Sequence, residues 1–311
     1  MPAHNEAAGI ETAIRTVRGI LDAAGLRHEI IVVDDGSRDG TFDRVAAAAQ
    51  SMSDVVGIRL SRNFGKEAAI LAGLRATRGE VVVTMDSDLQ HPPTMIPAMV
   101  EEWRRGAMVV NAVKRERAVD TVAARARAMI YGWLSKQLGG LDLRNSSDFK
   151  LLDKRVVEVV IDLLPERHRL YRGLVQWVGY KQAELLFDVD ERVAGETKFS
   201  VRALLALAIT GVISFTHTPL RIITGLGVLT LLLSVWVAAD AVWTWYHGTA
   251  VSGFATTIIV ELTIGSFIMI SLGIVGEYIA KMYDELKRRP TYLVSTRVGP
   301  PPGREDPRRP L

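Results

Sequence analysis

The run His28-Glu29-Ile30-Ile31-Val32-Val33-Asp34-Asp35-Gly36-Ser37 decides the fold. Four consecutive β-branched residues are too short a run for a helix and suit a strand buried on both faces. The two carboxylates and the Gly-Ser pair stop it abruptly, so this strand carries charge to one end of a sheet. Outward from it the pattern alternates: a helix over 42–50, a strand Val55–Ser61, a helix Lys66–Thr77, a strand Val81–Asp86, a helix Met95–Arg105 and a strand Met108–Lys114. This order predicts an α/β fold with an open, mostly parallel sheet and helices on both faces. Ligands of such sheets bind beyond the carboxyl ends of the strands, where the polar clusters of this chain fall. Pro2-Ala3-His4-Asn5-Glu6 reads as the end of a first strand whose body is missing, so the sheet is expected to lack a central strand.

Charge is spread evenly through Arg202 and then almost disappears. From Ile222 to Ala280 there is no Lys or Arg, and the only acids are Asp240, Glu261 and Glu277. Two apolar runs, about 222–243 and 254–279, are each long enough to cross ~30 Å of hydrocarbon. Arg221 precedes them, Lys281, Lys287, Arg288 and Arg289 follow, and the turn between them carries no basic residue. By the positive-inside rule this is a transmembrane hairpin with both ends cytoplasmic. The expected organisation is a cytoplasmic domain over 1–199, an interfacial amphipathic helix over 200–218, the hairpin over 219–280, and a basic tail over 281–311 whose end is disordered. The first residues have neither the basic region nor the apolar run of a signal peptide, which places the large domain in the cytoplasm. A formal charge of +3 over 311 residues is too small for a nucleic-acid footprint. With no Cys, disulfides and thiolate metal sites are excluded, and the six His have no metal-ligand spacing.

Asp34 and Asp35, adjacent on a strand, point to opposite sides. One can accept from a base N–H or a ribose hydroxyl; equally, the pair can open a polar turn with Asp39 or Thr41 capping the next helix. Asp86-Ser87-Asp88 closes another strand. Carboxylates at i and i+2 of an extended chain project to one side, so both can approach one divalent cation. Few oxygen ligands and open positions suit Mg²⁺ or Mn²⁺ bridging a diphosphate. Such an ion neutralises charge on a departing nucleoside diphosphate. An isolated Asp-x-Asp is usually a solvated turn, but this one lies at a strand end and is followed by Leu89-Gln90-His91-Pro92-Pro93. Lys114, Arg115, Arg117 and Arg125 lead into a helix over 122–138. They suit anionic headgroups or a phosphate, or form a solvated face.

Taken in order, Pro2–Glu6, Val33-Asp34-Asp35-Gly36-Ser37, Ser61-Arg62-Asn63-Phe64-Gly65-Lys66, Asp86-Ser87-Asp88-Leu89-Gln90 and Gly195-Glu196-Thr197-Lys198-Phe199-Ser200 resemble glycosyltransferase family 2, in particular its polyprenyl-phosphate glycosyltransferases. Gly273–Tyr278 and Lys287–Tyr292 are similar to the bactoprenol branch. The resemblance implies a GT-A fold and inverting, single-displacement transfer from a nucleotide-diphosphate sugar to polyprenyl (undecaprenyl) phosphate at a bacterial inner membrane. It implies that Asp34 and Asp35 hold the nucleoside, with Asn5 and Glu6 beside them and Lys66 nearby. Asp86, Asp88 and Gln90 would handle the metal and diphosphate. Arg192 and Lys198 would meet phosphates of donor and acceptor, and Asp148 would stand with Asp88 among the catalytic residues. Arg117 joins the phosphate partners by its place in the basic stretch, not by the resemblance. Asp148 matches the family's base, although a phosphate monoester is already mostly ionised near neutral pH, so orienting acceptor or sugar suits it equally. Arg169, Tyr171 and Arg172 resemble a segment near the acceptor cleft.

UDP-glucose is the favoured donor, ahead of UDP-GlcNAc, UDP-galactose, an amino-arabinose donor and GDP-mannose. A processive polysaccharide synthase is the competing reading, but its Gln-x-x-Arg-Trp segment is absent, because Gln176 is followed directly by Trp177. A non-catalytic membrane scaffold would not need an intact Asp-x-Asp. Asp240 and Glu261 are costly as ions facing lipid, and the family likeness implies a homo-oligomer such as a tetramer.

Overall fold

In the computed structural model the described residues are 1–114, 147–164, 166, 170–187, 218–247 and 253–301. The deciding run forms β2 (Ile30–Asp34), buried at every position. On one side it pairs in parallel with β3 (Val55–Leu60), and on the other with the short β1 (Pro2–Ala3). Helix α1 (Ile10–Ala23) buries Ile10, Ala13, Ile14, Val17 and Leu21, a helical stripe that packs with Val45 of α2 (Thr41–Ser51) against one face of these strands. Helix α3 (Lys66–Ala76) covers the other face, where Ala69, Ala72 and Ala76 meet Ile31, Val33, Val56 and Ile58. Small alanines there let the helix axis lie close to a sheet of branched side chains.

A second sheet has the order β4-β6-β5-β7, from β4 (Val81–Thr84), β5 (Val109–Lys114), β6 (Lys150–Asp153) and β7 (Gln182–Phe187). Helix α4 (Ile96–Arg104) follows a 3₁₀ turn at Pro93–Met95, α5 (Lys154–Glu158) follows β6, and α6 (Tyr171–Trp177) precedes β7. The expectation of a mostly parallel sheet is corrected here. β6 runs antiparallel to both β4 and β5, and only β5–β7 is parallel. A strand buried on both faces reads the same in either direction, so hydrophobic runs carry no record of chain sense.

Pro2 and Ala3 pair with Val33 and Asp34, and the Met1 ammonium donates to the Ile31 carbonyl at 2.8 Å. Burial pushes that amine down to about 6. A cavity of about 600 Å³ lies beside it, lined by Met1, Ile31 of β2, Val82 and Thr84 of β4, and Ile70 of α3.

The chain divides into two units. Residues 200–289 belong to the second, and the segment from Pro290 returns to the first. The described part of the second unit is α7 (Thr218–Tyr246) and α8 (Phe254–Leu286). Each contains a stretch long and apolar enough to cross a membrane, Gly225–Thr244 and Thr263–Leu286. The second stretch lies further along the chain than the 254–279 expected. Of the tail expected over 281–311, residues up to Leu286 continue α8, β8 (Val294–Val298) pairs antiparallel with β3, and 302–311 lie outside the described residues. The interfacial helix expected over 200–218 lies outside the described residues, apart from Thr218.

Candidate active site

Where β1, β2 and β3 end, three loops close on one another. Gly36 has φ +67°, and a Cβ on it would lie 2.4 Å from the Arg62 carbonyl carbon and 2.6 Å from Asn63 N. Only glycine lets the turn after β2 abut the Arg62–Asn63 backbone. Asp35 then accepts from the amides of Phe64 at 2.7 Å and Gly65 at 2.8 Å. Asp34 Oδ1 accepts from Ser37 N, while the buried Oδ2 has no hydrogen bond and lies 3.4 Å from Arg59 Nε. The two carboxylates diverge, as strand alternation requires, yet both are buried against their own chain. Asp34 Oδ2 is the acceptor with capacity to spare.

The Asn5–Glu6 turn lies directly on this loop. Asn5 N donates to Ser37 Oγ, Arg38 N to Asn5 Oδ1, and Glu6 N to Thr41 Oγ1. The cap of α2 is Gly40, in the left-handed region, and not Asp39 or Thr41. Asp39 instead ties the two segments together by accepting from Ala7 N and Thr41 N.

Beyond β4 the extended-chain expectation fails. The strand stops at Thr84, and Asp86–Leu89 turn, with Leu89 at φ 58°. A bulky residue in that region costs of order 1–3 kcal/mol, and such strain gathers at functional sites. Asp88 is exposed and accepts from Gln90 N at 3.0 Å, so a turn and not the pleat presents Asp86 and Asp88. Burial raises the Glu6 carboxyl, and the nearby charges of Asp88 and Asp39 raise it further. His91, stacked on Phe149 with centroids 5.1 Å apart, backs the turn. Burial lowers its pKa against the pull of Asp86 and Asp88.

Lys66, the first residue of α3, reaches across to Asp86 Oδ1 at 2.6 Å and Asp148 Oδ2 at 2.7 Å. Arg172 of α6 grips the same Asp148 through Nε at 2.6 Å and Nη2 at 2.8 Å, a two-pronged pairing. Burial disfavours the Asp148 carboxylate, but the Arg172 and Lys66 contacts outweigh it and hold the group far below the usual carboxylate range. Thr84 Oγ1 donates to the Asp148 carbonyl and lies 2.9 Å from the Tyr171 hydroxyl, so the backbone is fixed as well. Lys66 and Arg172 nevertheless each keep 43% of their side chains exposed. Two cations on a buried anion thus still face outward, where a phosphate can meet them.

Asp86 is already paired with an ammonium, so its carboxylate is placed to meet positive charge. Among the described residues no three acidic or His side chains converge to hold an ion by themselves. A hard cation at Asp86 and Asp88 would therefore take its remaining oxygens from a diphosphate and water, as Mg²⁺ commonly does, and the donor set fits.

Of the expected site residues, Lys66, Asp86 and Asp148 meet directly, and Asn5 and Glu6 adjoin the loop of Asp34 and Asp35. Asp88 and Gln90 share one turn. Arg117, Arg192 and Lys198 lie outside the described residues. Glu67, Thr84 and His91 were not expected. Only Glu67, a second charge at the start of α3, left a mark in the sequence that could have been noticed.

The Glycosyl transferase family 2 model matches residues 1–160. The chain belongs to glycosyltransferase family 2; it is a glycosyltransferase with the GT-A fold. It is 35% identical over 302 residues to the bactoprenol glucosyl transferase of Shigella phage SfX, covering 96% of this chain and 98% of that one. It is 35% identical over 299 residues to a prophage bactoprenol glucosyl transferase homolog of Escherichia coli, covering 94% and 96%. A glycosyltransferase of Synechocystis is 37% identical over 297 residues, covering 95% and 93%. Among solved structures, glucosyl-3-phosphoglycerate synthase from Mycobacterium tuberculosis, in complex with Mn²⁺, UDP-glucose and phosphoglyceric acid, aligns at 26% identity. That alignment covers 68% of this chain and 75% of that one, with a TM-score of 0.45.

Proposed function

We propose that the protein transfers glucose from UDP-glucose to undecaprenyl phosphate, with inversion, at the cytoplasmic face of a bacterial inner membrane. The observation that carries this reading is the Lys66–Asp148–Arg172 cluster, in which two part-exposed cations stand on one ionised carboxylate beside Asp86. That arrangement suits an anionic acceptor brought next to a diphosphate. Full-length likeness to bactoprenol glucosyl transferases supports glucose as the sugar and a polyprenyl phosphate as the acceptor.

In this reading Asp34, through Oδ2, accepts from the nucleoside, and the Asn5–Glu6 turn walls the same pocket. Asp86, Asp88 and Gln90 hold Mg²⁺ or Mn²⁺, which would supply charge neutralisation at the leaving diphosphate. Lys66 and Arg172 orient the acceptor phosphate, with Arg117, Arg192 and Lys198 as further phosphate partners. Asp148 does not act as a strong base, because a carboxyl held so far below its usual range takes protons poorly. The phosphate monoester brings its own negative oxygen, and Asp148 aims the two cations at it.

The chain leaves the first unit before α7 and rejoins it as β8, which supports a hairpin that starts and ends on one side of the membrane. Asp240 and Glu261 are exposed on α7 and α8, and a homo-oligomer would cover such carboxylates. A radiolabelled transfer assay with undecaprenyl phosphate and UDP-glucose, UDP-GlcNAc, UDP-galactose, an amino-arabinose donor or GDP-mannose tests the reading. Lipid-extractable label from UDP-glucose alone is expected. Label from another donor overturns the sugar assignment, long polymer points to a processive synthase, and no label from any donor overturns the acceptor.

A further inference from the structure

Glu67 follows Lys66 on α3 and is half-buried against an apolar patch of Ile70, Leu71, Val160 and Leu174. Its Oε2 accepts the backbone amide hydrogen of Tyr171 at 2.8 Å. Tyr171 is the first residue of α6, and Arg172, the next, is the two-pronged partner of Asp148. No side chain of the cap residue itself, Leu170, accepts from this turn. The loop of contacts closes through Tyr171, whose hydroxyl meets Thr84, and through Thr84, which holds the Asp148 carbonyl.

We propose that Glu67 is a positioning residue for glycosyl transfer: by holding the first turn of α6 it aims the Arg172 guanidinium at Asp148. Consecutive residues of α3 thus address both sides of the same carboxylate, Lys66 by direct contact and Glu67 through α6. The inference rests on the role given above to Asp148 and its cations, and not on the identity of the sugar.

Charge matters to this task. An ionised acceptor makes a stronger hydrogen bond to an amide than a neutral one. Burial pushes the Glu67 carboxyl up to about 7, and Asp148 adds to that rise. The Tyr171 amide bond, Arg172 and Lys66 oppose it. The charged and titratable groups facing Glu67 are therefore Lys66 on its own helix, Asp148 before β6, and Tyr171 and Arg172 on α6. The raised value means that the seated side chain favours its protonated form, so ionisation costs more in this pocket than the stronger bond returns. The hold on α6 is full at low pH and weakens as pH rises through about 7.

The test uses the full chain in detergent, with Glu67→Gln and Glu67→Ala, across pH 6 to 8.5. In the wild type, amide exchange over 170–177, corrected for intrinsic rate, is expected to quicken as pH rises through about 7, and turnover to fall over the same interval. Glu67→Gln keeps an oxygen acceptor and stands in for the neutral carboxyl, so it should lose the pH dependence of both readouts, with donor KM unchanged. Glu67→Ala should speed exchange at every pH. Wild-type exchange and turnover profiles in Glu67→Gln overturn the proposal, as does exchange over 170–177 left unchanged by Glu67→Ala. A wild-type chain that transfers nothing to undecaprenyl phosphate overturns the acceptor assignment alone, because exchange still decides whether Glu67 holds α6.

Discussion

Asp148 shows how one residue collects the work of several elements. Its carboxylate is buried, and it persists as an anion because α3 and α6 each present a cation to it. Asp148→Asn keeps the shape and removes the charge, leaving Lys66 and Arg172 without their shared counter-ion. Turnover is expected to fall by at least about 100-fold while donor binding, read as thermal stabilisation by UDP-sugar with Mn²⁺, stays near wild type. The same substitution should change the response to acid. A carboxyl whose folded pKa is depressed contributes stability that is present above its ordinary pKa and lost as pH falls toward the folded value. The wild-type melting temperature should therefore drop more steeply than that of Asp148→Asn below about pH 4. At Gly36, replacement by Ala meets both a positive φ and the Arg62–Asn63 backbone. It should cost about 1–3 kcal/mol in a melting experiment and weaken donor binding, because the turns holding Asp34 and Asp35 are forced apart.

At the scale of elements, what was legible in the sequence depended on length and on apolar purity. β2, β3 and α3 stand out because Ile30–Asp34 opens on four branched residues, Val55–Leu60 is mostly apolar, and Lys66–Ala76 has an uninterrupted buried side. β6 was not legible. It is four residues with Lys150 and Asp153 at its ends, and it draws its burial from neighbours far away in the chain. β8 was hidden for another reason, since Val294–Val298 alternates weakly and its partner β3 is more than two hundred residues earlier. The same distance explains the site. The Asp-x-Asp could be read as a motif, while the meeting of Lys66, Asp148 and Arg172 arises only when three elements are packed together. β8 also makes a prediction at this scale. Deleting residues 294–311 leaves the outer edge of β3 unpaired, and an open edge templates association. The shortened protein should melt lower and appear in the void volume on size exclusion in detergent, whereas deleting only 302–311 should do neither.

The whole molecule combines a glycosyltransferase with two apolar helices whose described side chains, including Leu231, Leu232, Trp236 and Met269, are largely exposed. Exposed apolar surface on that scale marks a lipid-facing or protein-facing region. At 1.5 Å per residue the 33 residues of α8 extend about 50 Å, well beyond a hydrocarbon core of ~30 Å. The sidedness is open to a direct measurement, because the chain has no cysteine. A His247→Cys thiol, just past the end of α7, should react with a membrane-impermeant maleimide in spheroplasts. A Ser295→Cys thiol on β8 should react only after permeabilisation. Labelling of both from outside would overturn the cytoplasmic assignment.

The position of β8 has a consequence for how the protein is made. A ribosome releases this chain from its first residue onward, so the strand that completes the first sheet emerges only after both apolar helices. Until then the nascent enzyme carries an unfinished edge. The first unit therefore gains its last strand only once both apolar helices have been made, and a chain that stalls before Val294 stays incomplete.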